Sequence, residues 1–175
     1  MKLIDKIETS RLIIRPMKQK DLNLFLEFML DTDSTRFLMF TDDQKTKKGA
    51  TQIFNSVIKS YGSDNPIHSY SITLKNDTYI GSCGISKIEG FEKIYECYYC
   101  LLREFTKNGY ASEALKSLID YCFNILELNE IRAYMHPSNP HSEAVAKRVG
   151  MTYDGIKKHP IFRNKGKLYY VNKKD

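Results

Sequence analysis

Apolar residues recur along this chain with two periods, and the switches between them divide it into elements. Leu12, Ile13 and Ile14, within Arg11 to Arg15, predict a short first strand stopped by Pro16. Leu22, Phe25, Leu26 and Met29 then fall at helical spacing. Ala50, Ile53, Phe54, Val57, Ile58 and Tyr61 repeat that spacing more fully, and Gly62 to Pro66 end the second helix with turn residues. The period next changes to two. Tyr70, Ile72 and Leu74 alternate with Ser69, Ser71 and Thr73, Lys75 to Asp77 predict a turn, and Thr78 to Ser86 predict the returning strand of a hairpin.

Lys93 to Leu102 predict a further strand, rich in Tyr and Cys. Ala111, Leu115, Leu118, Cys122, Phe123 and Leu126 form a long helical stripe, and Glu130 to Met135 another strand. Asn139-Pro140 is a helix start, because Asn caps free amides and Pro suits the first helical position; Gly150 ends that helix. The remainder predicts two strands joined around Asn164-Lys165-Gly166. Seven strands and four helices in this order predict an α+β fold with a mixed sheet, in a single domain spanning residues 1–175.

Composition narrows the classes. Hydrophobic residues make up 42% and charged residues 27%, which excludes a disordered chain. The net charge of +6 is spread in small blocks, such as Lys45, Lys47 and Lys48. It suits recruitment of an anionic ligand better than the dense basic stripe of a nucleic-acid domain, so no nucleic-acid partner is expected. The opening Met1 to Arg15 carries no continuous apolar segment, and no run is long enough for a membrane span. A cytoplasmic chain with four free thiols, Cys83, Cys97, Cys100 and Cys122, is the expectation. Cys97-x-x-Cys100 on a strand points to opposite faces, so no metal site is expected. The four histidines show no ligand spacing, and only His136 or His141 is expected to line a cleft.

Candidate chemistry concentrates between Glu96 and Ala114. A strand ends there, and Arg103 to Ala111 lead through Gly109 into the long helix. Such a turn exposes backbone N–H groups beside a positive helix end, an arrangement that holds phosphate oxygens. It is equally the form of an ordinary strand-to-helix turn with one glycine. It is neither a Walker loop nor a three-glycine dinucleotide fingerprint.

Thr106-Lys107-Asn108-Gly109-Tyr110-Ala111 resembles the acetyl-CoA loop of the GNAT acetyltransferases, Arg/Gln-x-x-Gly-x-Gly/Ala. Glu8 to Pro16, Tyr79 to Gly84, Glu96 to Leu101, Gly109 to Ala114, and Asn139 to Met151 are similar, in order, to motifs of the branch containing the ribosomal-protein N-terminal acetyltransferases. The resemblance implies a mostly antiparallel sheet of about seven strands and about four helices. It implies acetyl-CoA as cosubstrate, held by Leu101, Leu102, Arg103, Thr106, Lys107, Asn108, Gly109, Tyr110, Ala111, Ser112, Asn139 and Ser142. It also implies direct attack by an amine acceptor in a ternary complex, by a monomer or homodimer.

Three departures stand out. Thr106 replaces the usual Arg or Gln, and Cys97, Tyr98 and Cys100 replace Ile, Gly and Trp. Ala146 stands where many members outside this branch carry a proton-donating Tyr. Glu96 is the candidate base or amine-orienting carboxylate, against a purely structural carboxylate. Ser142 is the candidate acid for the leaving thiolate, against a capping hydroxyl. Asn139 reads first as a helix cap and then as a pantetheine contact.

The branch implies an acceptor cleft walled by Asp21 to Asp33, Lys45 to Tyr61, and Pro160 to Val171. Asp31, Asp33, Asp42 and Asp43 would attract a cationic acceptor there, or else serve as caps. A protein N-terminal α-amine is expected ahead of a polyamine, an aminoglycoside or an amino acid. A degenerate domain that only binds acyl-CoA, and a small basic RNA-binding domain, are the remaining alternatives.

Overall fold

Residues 1–174 are described by the structure, a computed structural model. The strands are β1 (Ile7–Glu8), β2 (Leu12–Pro16), β3 (Ser69–Leu74), β4 (Tyr79–Lys87), β5 (Ile94–Leu101), β6 (Glu130–Met135), β7 (Thr152–Lys158) and β8 (Lys165–Asn172). The helices are α1 (Leu22–Leu30), α2 (Thr32–Thr35), α3 (Lys47–Ser60), α4 (Tyr110–Asn124) and α5 (Pro140–Arg148). The strands form one eight-stranded sheet in the order β1-β2-β3-β4-β5-β6-β8-β7. Every neighbouring pair is antiparallel except β5 and β6.

The expected α+β fold is present, with three corrections. β1, of two residues, and α2, of four, are too short to show a period, and both were missed. Pro16 does not stop the first strand; it is the last residue of β2, opposite Tyr70, at an end where a missing N–H costs little. The last hairpin turns through residues 159–164, and Lys165 and Gly166 already belong to β8.

Two cores flank the sheet. On its back, Tyr70, Ile72, Ile80, Cys83, Cys97 and Ile131 pack against Leu115, Leu118 and Cys122 of α4 and Val145 and Ala146 of α5. On its front, Phe25 and Met29 of α1 and Phe54 and Val57 of α3 close over Tyr79 and Leu102. Both faces of β3 are therefore buried. Its polar row is paired internally: Ser71 Oγ donates to Asp21 Oδ2 at 2.7 Å, and Thr73 Oγ1 to the Ile13 carbonyl at 3.2 Å.

Asp21 also receives a two-pronged bond from Arg15, at 2.8 and 3.0 Å. Arg15 is 5% exposed and Asp21 2%. Breaking this buried pair would leave an uncompensated charge, so it fixes where α1 begins. α1 in turn supplies one wall of the cleft described next.

Candidate active site

β5 and β6 pair in parallel at only three positions, Ile94↔Glu130, Tyr95↔Ile131 and Glu96↔Arg132. β5 then continues along β4 to Leu101, whereas β6 follows β8 to Met135. The two strands thus part immediately beyond Glu96. Leu102 N–H donates to the Ile80 carbonyl, which sets the alternation along β5. By that alternation the main-chain groups of Cys97, Tyr99 and Leu101 face away from β4 and into the opening. Such groups form a ladder edge for an extended, amide-bearing ligand.

The opening leads to the start of α4. Gly109 takes φ +79°, the left-handed conformation that favours glycine, and no side chain caps the helix. By contrast Asp31, Thr46 and Asn139 side chains cap α2, α3 and α5. The first amides of α4 are therefore left for an anion. The Ser112 hydroxyl in that first turn is buried without a hydrogen-bond partner. Buried hydroxyls are normally satisfied, so this one marks a place where a ligand oxygen fits.

A cleft of about 610 Å³ joins these features. Of the residues named as cofactor contacts from the sequence, Leu101, Thr106, Lys107, Gly109, Tyr110, Ala111, Ser112, Asn139 and Ser142 line it, together with Phe28, Arg36, Phe37 and Leu38. Three expected contacts do not line it with their side chains. Leu102 is buried in the front core. Arg103 turns outward to Asp31 and Asp33, at 3.2 and 2.8 Å. Asn108 offers its carbonyl to Arg11 Nη1 at 3.0 Å and its side-chain amide to the Thr106 carbonyl. Arg11 itself lies over the Tyr110 ring and binds Glu113, a role that sequence reading missed. Thr106 spends its hydroxyl on the Arg103 carbonyl, so grip on a ligand at this loop falls to main-chain amides and Lys107.

Asn139 and Ser142 meet at the other side of the cleft. Asn139 Oδ1 accepts the Ser142 amide at 3.2 Å as helix cap, and Asn139 Nδ2 donates to Ser142 Oγ at 3.0 Å. Ser142 Oγ is an acceptor in that bond, which leaves its own hydrogen to give. Tyr99 Oη donates to the Ser142 carbonyl at 2.8 Å and ties α5 to β5. Burial pushes the Tyr99 hydroxyl well up, so it stays protonated and acts as a tether.

Glu96 is the last β5 residue paired with β6, at the root of the opening, and does not itself line the cleft. It shares the face of β5 that carries Tyr98 and Cys100, while Cys97 lies in the back core, as strand parity predicts. Burial raises the Glu96 carboxyl, while His159 pulls it down. His159 is 4% exposed, and its Nε2 lies 2.9 Å from Glu96 Oε2. Its Nδ1 accepts the amides of Ile161 and Phe162 at 3.1 and 3.2 Å, so Nε2 carries the hydrogen and donates it to Glu96. His159 was not among the expected site residues. No motif announces it, and it reaches Glu96 only because the last hairpin folds back across 63 positions. His141 lines the cleft, while His136 stacks on Phe37 at 5.0 Å.

Among the described residues no cluster of His, Cys, Asp or Glu could hold a metal ion, and no helix is long and apolar enough to cross a membrane. The site thus offers an anion seat, an open strand edge, a free hydroxyl hydrogen and a partly desolvated carboxylate. That set fits acyl transfer from a phosphate-bearing thioester.

Comparison with known proteins gives the same answer. The model of the acetyltransferase (GNAT) domain matches residues 11–152. The N-acetyltransferase p20 of Bacillus licheniformis is 28% identical over 154 residues, covering 87% of this chain and 85% of that protein. Two solved structures share the fold. The ribosomal-protein-S5-alanine acetyltransferase of Vibrio fischeri has a TM-score of 0.75 at 20% identity, covering 98% of each chain. The spermidine N-acetyltransferase of Vibrio cholerae, in complex with CoA and spermine, has a TM-score of 0.77 at 19% identity, covering 94% of this chain and 97% of its own. With its fold, its uncapped α4 and its parted central strands in place, this chain belongs to the GNAT acetyltransferase family.

Proposed function

We propose that this N-acetyltransferase moves acetyl directly to a primary amine in a ternary complex, with a protein N-terminal α-amine as acceptor. Acetyl-CoA, the donor in this family, supplies an acetyl group activated as a thioester. The α4 amides, Ser112 Oγ and Lys107 would hold its phosphates, and the β5 edge at Tyr99 and Leu101 would hold the pantetheine arm.

The observation that carries direct transfer is the hydrogen bond of a cysteine at the cleft: Cys100 Sγ–H donates to the Ser82 carbonyl at 3.6 Å, which keeps the proton on the thiol. Cys100 borders the cleft, but burial pushes its thiol up to about 12, so it cannot serve as an acyl-accepting thiolate near neutral pH. Glu96 can take the proton that the amine sheds, directly or through a water, and its raised affinity for protons suits that task. Ser142 can give its free hydrogen to the departing sulfur, near the positive end of α5.

An α-amine is favoured over a polyamine by the acids of the α1–α2 wall. Asp31 and Asp33, expected to draw a cationic acceptor, are engaged by Arg103, and Asp31 also caps α2. The test is acetylation of peptides with varied first residues against polyamines, aminoglycosides and free amino acids. Release of CoA thiol and product mass would be followed. Turnover is expected on the peptides. Turnover confined to small molecules overturns the α-amine, and turnover on neither, with acetyl-CoA still bound, supports a binding domain that has lost catalysis.

A further inference from the structure

The residues 159–164 that join β7 to β8 form a closed turn built around one imidazole. His159 N–H donates to the Asn164 carbonyl at 2.8 Å, and Arg163 N–H donates to the His159 carbonyl at 3.1 Å, with Arg163 at φ +63°. Inside this turn the ring is clamped from three sides. Ile161 and Phe162 amides hold Nδ1, Tyr134 of β6 meets the ring edge-on at 4.7 Å, and the Phe162 ring lies at 4.8 Å. Only Nε2 is left outside the clamp, and it carries its hydrogen to Glu96 Oε2.

This arrangement sets what the pair can do. Taking a second proton at Nδ1 would replace two accepted amide bonds with a clash of donors, so His159 is not suited to be the base. Glu96 Oε1, by contrast, has no protein partner among the described residues, and its side chain is 20% exposed. We propose that His159 is a positioning residue: through Nε2–H it holds Oε2 and so presents Oε1 of the Glu96 carboxylate as the oxygen that receives the acceptor's proton. The proposal rests on the reading of Glu96 as base and adds to it a fixed division of labour between its two oxygens. The effect is that of an outer hydrogen-bond partner that aims a reacting group.

The other groups facing Glu96 come from three strands. Arg132 lies opposite it on β6, paired to Glu130 at 2.5 Å, with Tyr134 two residues on. Ser86 lies opposite on β4, and Tyr98 follows on β5 itself, bound to Ser69 Oγ. Because Arg132 is engaged by Glu130, His159 is the polar group bonded to the Glu96 carboxylate itself. Without it, burial acts on that carboxylate with less opposition, and the group takes up its proton at higher pH.

The experiment joins two readouts, each on the full chain, for wild type, Glu96→Gln, His159→Ala and His159→Gln. The first is NMR on protein labelled with 15N in histidine and 13C at the Glu carboxyls. His159 should be the neutral Nε2–H tautomer, and the Glu96 signal should titrate at higher pH in His159→Ala. His159→Gln, which restores an N–H donor, should bring it part of the way back. The second is the pH profile of kcat/KM, whose acid limb should move upward in His159→Ala. Activity below the limb should then fall about tenfold per unit of movement, with the KM for acetyl-CoA within about twofold of wild type.

An Nδ1–H tautomer, or a Glu96 titration unchanged in His159→Ala, overturns the proposal. Equal loss at every pH with an unmoved limb does the same, since that is what a merely structural histidine predicts. The base reading fails separately, if Glu96→Gln keeps wild-type turnover; the carboxyl titration then still decides whether His159 holds Glu96.

Discussion

Arg11, just before β2, is bound twice over to Glu113 in the first turn of α4: its Nε donates to Oε2 at 2.7 Å and its own amide to Oε1 at 3.0 Å. Thr9 and Ser10 hydroxyls add bonds to Oε1 at 2.6 and 3.1 Å. Burial would raise the Glu113 carboxyl, but these bonds outweigh it and hold it down at about 2. Since Arg11 also holds the Asn108 carbonyl, the chain's opening segment fixes the loop proposed above to seat the donor's phosphates.

Loss of this clamp should therefore loosen the donor more than it slows the chemistry. Arg11→Ala should raise the KM for acetyl-CoA severalfold and leave kcat with saturating donor within about threefold. Steady-state kinetics with both substrates varied would check it; a fall in kcat at unchanged KM would contradict it.

The same clamp predicts a contribution to acid stability. The folded Glu113 value lies below the unfolded one, so its contribution is complete above about 4.5 and is lost as pH falls toward about 2. Glu113→Gln should lower the melting temperature near neutral pH, and the gap from wild type should close as pH falls through that window. Parallel thermal melts across it would show this. A constant gap would mean that the carboxylate charge is not what matters.

Gly109→Val should abolish most of the melting-temperature shift given by acetyl-CoA. A Cβ there would meet nothing closer than Arg11 Nη2 at 3.4 Å, an ordinary contact. The cost to the fold is thus the φ of +79°, about 1–2 kcal/mol, whereas the cost to the ligand is blocked approach to the amides. A folded variant with an unchanged ligand shift would remove the loop from the binding site.

Glu96→Gln should lower turnover by about 10²-fold or more at neutral pH, and the loss should shrink at high pH, where free amine is abundant. The wild-type rate should fall as pH drops through a value above the ordinary carboxylate range, because burial raises this group. Wild-type activity in the variant would return Glu96 to a structural role.

Ser142→Ala should reduce kcat while the KM for acetyl-CoA stays nearly constant. The deficit should be smaller with a thioester of a more acidic thiol, which leaves without help. Equal deficits with both donors would rule out the acid role.

How much of this was legible in the sequence follows from range. The α4 stripe, the glycine before it, the Asn139 cap and the two faces of β5 are local matters of period and capping, and all were readable. β1 and α2 were not, since two or four residues carry no period. Nor was the outward turn of Arg103, which depends on where α2 places Asp31 and Asp33. His159 is the clearest case. Between Lys158 and Pro160 it looks like any exposed hairpin residue, and its burial comes from Tyr134, Phe162 and Glu96, brought to it by strand order.

The three residue pairs between β5 and β6 have a mechanical meaning as well. They are the only strand-ladder pairs, among the described residues, that join the β1–β5 half of the sheet to the β6–β8 half, reinforced at one end by the Asn129 and Glu130 amides on the Lys93 carbonyl. Apart from the two-pair attachment of the edge strand β1, the seam should be the sheet's weakest line, the place where thermal breathing separates one half from the other. A donor whose arm bonds to the β5 edge and whose reactive end lies against α5 would stitch that line shut. Bound acetyl-CoA would thus act on the molecule as a zip fastener, slowing amide exchange in strands it never touches.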